Sequence, residues 1–149
     1  MELFNYEAHQ KLWMLLAENI HAAARENYAG DGYYNAYGAL DRLKKTLLLK
    51  HFPADEQNPE NHCFACQAAK LYQEMNWVND EEVHCDYCPL QWGQGGCEES
   101  GSLYRKLIDC LEINDITNAA ATCIEIANVP HYNTEEEIWK HVSEKGDQR

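Results

Sequence analysis

The chain has 149 residues, 45% of them apolar, and a formal net charge of −13. This length suits one domain that can bury roughly 68–70% of its unfolded surface. The charge excludes a general duplex-binding protein, which neutralises phosphates with Lys and Arg.

The expected fold class is mainly α: a small helical domain spanning 1–149, with a central zinc-knuckle-like metal site in an insert at about 61–98. Residues 5–25 read as the first helix, with Asn5 as cap and Glu7 in the first turn. Leu12, Leu16, Ile20 and Ala23 form its apolar stripe, widened by Trp13 and Leu15. GDGYY at 30–34 breaks it. The spacing predicts a second helix over about 34–50, with Tyr37, Leu40, Leu43 or Lys44, and Leu47 along one side and Asp41 paired to Lys45 at i+4. FPADEQNPEN at 52–61 is a polar loop. A short helix is expected at 63–76, with Ala65, Ala68, Ala69, Tyr72 and Met75 inward. Residues 102–113 read as helix. Asp115 can cap the next one, whose stripe is Ile116, Ala119, Ala120, Cys123, Ile124 and Ala127. Thr134 to Glu137 is a capping box for a last helix carrying Ile138, Trp139 and Val142. No alternating strand pattern exceeds about four residues, and no repeat is present.

No apolar run approaches the roughly 18 residues of a bilayer crossing. MELFNYEAHQ lacks the basic region and apolar stretch of a secretory signal, so a cytoplasmic, thiol-reducing setting is expected. In that setting the seven cysteines favour metal or redox chemistry over disulfides.

Cys63-x-x-Cys66 and Cys85-x-x-Cys88 give C-x2-C-x18-C-x2-C, a spacing read as a zinc site. Each short turn aims two thiolates at one ion, and two turns supply a tetrahedron of sulfurs at about 2.3 Å. Zinc is the favoured cofactor. An iron–sulfur cluster is the alternative, because four thiolates suit both and Cys88-Pro89 resembles the end of cluster-binding runs. Cys97 is a fifth thiol that can substitute for Cys88 or stand by. His62 and His84 precede the pairs and read as neighbours of ligands more than as ligands. Cys110 and Cys123 lie on apolar faces and read as buried structural cysteines. A shell of four thiolates is closed, so the metal reads as a staple. Neither a deaminase H-x-E with P-C-x-x-C, nor HExxH, G-x-S-x-G, a P-loop or a βαβ setting for a redox CxxC is present. The chain is therefore expected not to be an enzyme, with a metal- or thiol-dependent enzyme as an alternative.

Two surface features carry binding readings. Residues 51–101 hold ten acids and one base, whereas RLKKTLLLK at 42–50 holds four bases and no acid. The acid serves solubility, or it forms a face for a protein partner with a basic surface. Tyr28, Tyr33, Tyr34 and Tyr37 lie near Arg42, Lys44 and Lys45. Tyr33, Tyr37, Arg42 and Lys45 can stack a base and hold phosphate, as in a nucleotide sponge, or the tyrosines simply pack at helix ends. Trp77 and Trp92 are expected over the knuckle, and Trp13 and Trp139 in the core.

FNYEAHQKLWMLLAEN, CFAC, CDYCPLQW, a further Cys, Tyr104 and IEIANVP, in that order over about residues 3–130, resemble a group of small uncharacterised proteins of phages and prophages of Firmicutes. The resemblance implies a phage or prophage setting, with Cys63, Cys66, Cys85, Cys88 and Cys97 as the shared feature. It implies no activity. Residues 28–50 depart from the group's pattern, which makes them a place for a partner or ligand particular to this chain. The resulting expectation is an accessory protein that binds a host protein, including a defence protein.

Overall fold

The computed structural model describes residues 4–28, 33–59, 62–75, 87–91, 101–132, 136–138 and 140, with the backbone alone described at 26–28 and 33–35. Asn5 starts helix α1 (Tyr6–Tyr28): its Oδ1 accepts the Ala8 N–H at 3.0 Å. The expected stripe is the buried face, with Leu12, Leu16, Ile20 and Ala23 all at 1% exposure or less. Helix α2 (Tyr33–His51) packs back on α1 through Ala36, Ala39, Leu40, Leu47 and Leu48. A short 3-10 turn, Ala54–Glu56, follows. Asn5 Nδ2 donates to Glu56 Oε1 at 3.1 Å, so this turn stays near the start of α1.

Helix α3 (Phe64–Met75) buries Phe64, Ala65, Ala68, Ala69, Tyr72 and Gln73. Met75, expected inward, is 51% exposed, because the inner side of α3 ends one turn earlier, at Tyr72 and Gln73. Helix α4 (Leu103–Glu112) is capped by Ser102, whose Oγ accepts the Arg105 N–H at 3.1 Å. It ends through Asn114 at φ 60°, a left-handed turn that Asn tolerates. Asp115 caps helix α5 (Ile116–Ala127) as expected, accepting the Asn118 N–H at 3.2 Å. The inner face of α5 is Ala119, Thr122, Cys123, Ile126 and Ala127. Ile116 and Ile124, expected on that stripe, are exposed. Between them in sequence, Ala120 is partly buried against the main core, so the inner face takes only the Ala120 edge of this row.

Helix α1 is the centre of the bundle, with α5 and α2 its main neighbours and α4 packed on α5. The main core is a cluster drawn from α1 to α5, and Cys110 and Cys123 are buried in it. Among the described residues the only extended pairing is an antiparallel bridge between Leu90 and His131. Residues 136–138 and 140 are helical, with Ile138 buried, in keeping with a last helix. Thr134, Trp139, Val142, Trp77 and Trp92, and the side chains of Tyr28, Tyr33 and Tyr34, lie outside the described residues. No described helix is long and apolar enough to cross a membrane.

Candidate metal centre

The first CxxC pair sits at the start of α3. Cys63 precedes the helix, and its Sγ accepts the Cys66 N–H at 3.5 Å. A thiol in this position meets backbone N–H groups that have no helical partner, and these favour the thiolate. Cys63 is drawn down to about 6, first by hydrogen bonding with the Cys66 side chain. The Lys44 ammonium and the backbone N–H groups of Cys66 and Ala65 act in the same direction, against burial.

Cys88, the described member of the second pair, packs against the same small core as Cys63. Two hydrogen bonds tie its flank to the exit of α5: Gln91 N–H to Pro130 O at 2.7 Å, and Tyr132 N–H to Pro89 O at 2.8 Å. Ala65, Leu90 and Val129 form a second, smaller core, and Cys63 and Cys88 both pack against it, with Phe4, Tyr6 and Leu103. Tyr6 adds a donor from α1, its hydroxyl giving a 3.1 Å hydrogen bond to Val129 O. The Tyr72 and Tyr87 rings, 5.4 Å apart, tie the second pair to α3 again. Cys63 and Cys88, one from each CxxC motif, thus pack against one apolar patch. Cys85, His84 and Cys97 lie outside the described residues. Among the described residues no three of His, Cys, Asp and Glu are gathered as a metal needs. The donor chemistry suits a soft or borderline divalent cation: Cys63, Cys66 and Cys88 are half-buried thiols, not disulfides.

His62 turns away to other work. It takes a left-handed φ of 50°, and its Nδ1 meets Asp41 Oδ1 at 2.7 Å. Asp41 therefore reaches across to the start of α3 instead of along α2 to Lys45, the pairing its i+4 spacing suggests. Cys110 and Cys123 are inert by environment: burial pushes Cys123 up to about 12 and Cys110 upward.

Lys44 is the residue that periodicity leaves undecided between itself and Leu43. It is the buried one, 3% exposed. Its Nζ lies 5.1 Å from the Trp13 ring centroid and 5.0 Å from that of Tyr104. Burial alone lowers a lysine, yet Lys44 is held at about 12, because Tyr104, Cys63 and Cys66 together outweigh desolvation. The attraction between Cys63 and Lys44 adds to both shifts, behind the Cys66 side-chain hydrogen bond for Cys63 and behind Tyr104 for Lys44.

Of the four residues expected to take a nucleotide, the side chains of Tyr37, Arg42 and Lys45 are described. Tyr37 turns inward against the main core and stacks on Tyr104 at 5.9 Å. Arg42 and Lys45 are exposed. The Arg42 guanidinium lies back over Gly38, where an added Cβ would meet its Nη1 at 3.1 Å. The Tyr33 side chain lies outside the described residues.

No protein-family model matches the chain, and no curated protein or solved structure matches it.

Proposed function

We propose that the chain is a non-enzymatic accessory protein of phage type, a helical domain stapled by zinc on Cys63, Cys66, Cys85 and Cys88. It acts through its surface, by binding a host protein with a basic face, a counter-defence inhibitor being the role that fits such a setting. What supports the metal part is the CxxC spacing, together with the packing of Cys63 and Cys88 against the same Ala65, Leu90 and Val129 patch and the Cys66 N–H on Cys63 Sγ. Backbone N–H groups that point at a thiolate also orient it toward a metal. Four thiolates fill a tetrahedral zinc, which favours a structural part over a catalytic one. The binding part is supported by the ten acids and one base of residues 51–101 and by the resemblance carried by CFAC, CDYCPLQW and IEIANVP.

Elemental analysis of reduced, freshly purified protein tests the metal part. About one zinc per chain is expected, lost in Cys63→Ser, and a metal-free wild type that melts at the same temperature with and without chelator overturns it. Capture from host lysate tests the other part: one partner released by raising salt supports an acidic face, and a partner indifferent to salt refutes it.

A further inference from the structure

Exposed apolar side chains that stand singly need no explanation. Met14, Leu49 and Met75 are of that kind, one each on α1, α2 and α3. Ile113, Ile116 and Ile124 are not, being 74%, 39% and 41% exposed within one short stretch of chain. Ile116, Ala120 and Ile124 follow at i+4 on α5 and form one row about 12 Å long. Ile113 stands at the corner between α4 and α5, three residues ahead, hence within about 11 Å of Ile116. The corner is closed without its side chain: the Asn114 N–H donates to Leu111 O at 3.2 Å, and the Asp115 N–H to Cys110 O at 2.8 Å. Thr117 and Ala121, beside the row, are exposed and uncharged.

The charge around this row has one sign. Residues 107–130 hold the acids Asp109, Glu112, Asp115 and Glu125 and no base. Each isoleucine has an acid as its chain neighbour: Glu112 beside Ile113, Asp115 beside Ile116 and Glu125 beside Ile124. Glu112 and Glu125 are exposed and make no ion pair among the described residues. Asp109 has Arg105 near it, at 3.9 Å. A second copy seated on the row would set acid against acid, in a chain of net charge −13.

We infer that the isoleucine row of α5, with its Ile113 corner, is the docking surface for an amphipathic helix of a partner protein, one whose apolar row is bordered by Lys and Arg. Apolar contact holds the helix, and the acidic border selects it and speeds its approach. Ala120, small and in the middle of the row, lets an incoming backbone come close. The inference rests on the reading that the chain binds a protein with a basic face, and it names the surface and the chemistry of that contact.

The test uses the full chain, reduced and with zinc present, and two synthetic peptides of Leu and Lys, each about 18 residues or five helical turns long. One has its leucines in a helical row, and the other has the same composition scrambled. Fluorescence anisotropy reads affinity, and amide NMR shifts read the place. The amphipathic peptide should bind at least about 10-fold more tightly than the scrambled one and move the signals of residues 113–125. Ile116→Ser/Ile124→Ser should weaken it at least about 10-fold, with helical circular dichroism unchanged. If that variant unfolds, Ile113→Ser, outside both helices, decides: unchanged affinity overturns the inference. Equal binding of the two peptides, with shifts confined to residues 51–101, overturns it and leaves the basic-partner reading standing. Binding of neither overturns both. Signals of 113–125 that move with protein concentration alone show a second copy on the row, and the inference falls.

Discussion

Acid should weaken this protein through one histidine. His9 lies on α1, 1% exposed, with its Nε2 at 3.0 Å from Ile126 O. A carbonyl only accepts, so Nε2 carries the proton and Nδ1 is a bare lone pair. That Nδ1 is buried with no partner among the described residues. Phe4, Tyr6 and Trp13 surround the ring. Burial is the main reason His9 falls from 6.5 to about 4, and the positive charges of Lys44 and His131 add to it against the help of the Ile126 carbonyl. In the unfolded chain the imidazole takes a proton below about 6.5, while the native one refuses it until about 4. The unfolded state therefore binds more protons in that window, and stability falls with pH from about 6.5 down to about 4. At about pH 4.5 the loss from this one group is about 2.5 kcal/mol. His9→Gln isolates it: a Gln amide can still donate to Ile126 O but does not titrate. Urea midpoints are measured for both proteins from about pH 7.5 to 4.5, in chelator and reductant so that acid release of metal cancels. The variant starts about 1–2 kcal/mol less stable, from the lost ring contacts. It then loses less on acidification, so the two curves converge and cross near pH 5.5. Parallel curves would mean that His9 is protonated, solvated or unfolded with its neighbours well above pH 4.5, and the argument from its buried lone pair would be wrong.

Leu16→Ala, at a position with no exposed surface, should lower unfolding free energy by about 3 kcal/mol in urea melts; a loss under 1 kcal/mol would mean that the α1 interface collapses around the cavity. Ser102→Ala removes the oxygen that accepts the Arg105 N–H at 3.1 Å. It should lower stability by about 1 kcal/mol, with Ser102→Asp recovering part of it. In chelator at about pH 7, mass-mapped alkylation should reach Cys63, drawn down to about 6, well before Cys123, pushed up to about 12; the reverse order would contradict both environments.

The helical plan is legible because it is local. A stripe of Leu12, Leu16 and Ile20 has one helical solution, and Asn5 and Asp115 announce their helices by side chains that compete for backbone N–H groups. Helix α5 is less legible. Apolar residues surround much of it, so period alone cannot choose among rows; packing against α1 and α4 selects Thr122 and Ile126 over Ile116 and Ile124. His9 shares the stripe of Leu12 and Trp13 but reads as polar, and its acceptor on Ile126 is far along the chain. Lys44 is undecidable for the same reason, since its inward turn depends on Trp13, Cys63 and Tyr104, which lie on three other segments. The CxxC spacing makes the cysteine motif visible. It does not reveal that Pro89 to Gln91 pairs with Pro130 to Tyr132, because a bridge that short carries no alternating pattern.

That bridge decides what the proposed metal has to do. Helices α1, α2, α4 and α5 share one continuous core. Helix α3 is joined to them differently. Phe64 reaches the main core and meets Phe52 at 5.5 Å, and Ala65 belongs to the small cluster with Leu90 and Val129. Ala68, Ala69 and Tyr72 are buried as well, with Tyr72 against the Tyr87 ring. Among the described residues this second cluster holds three buried side chains, and a joint that small opens locally at lower free energy than a larger shared core. A metal joining Cys63 and Cys66 to the segment of Cys88 would act on that weak joint. Removing it should then release α3 and residues 87–91 first and leave the main bundle folded. Hydrogen exchange with and without chelator reads this directly: faster exchange is expected across α3 and at the Gln91 and Tyr132 amides, with little change in the middle of α1 and α5. Uniform acceleration over the whole chain would show that the bundle cannot stand without the joint. No change anywhere would show that the thiols hold nothing together.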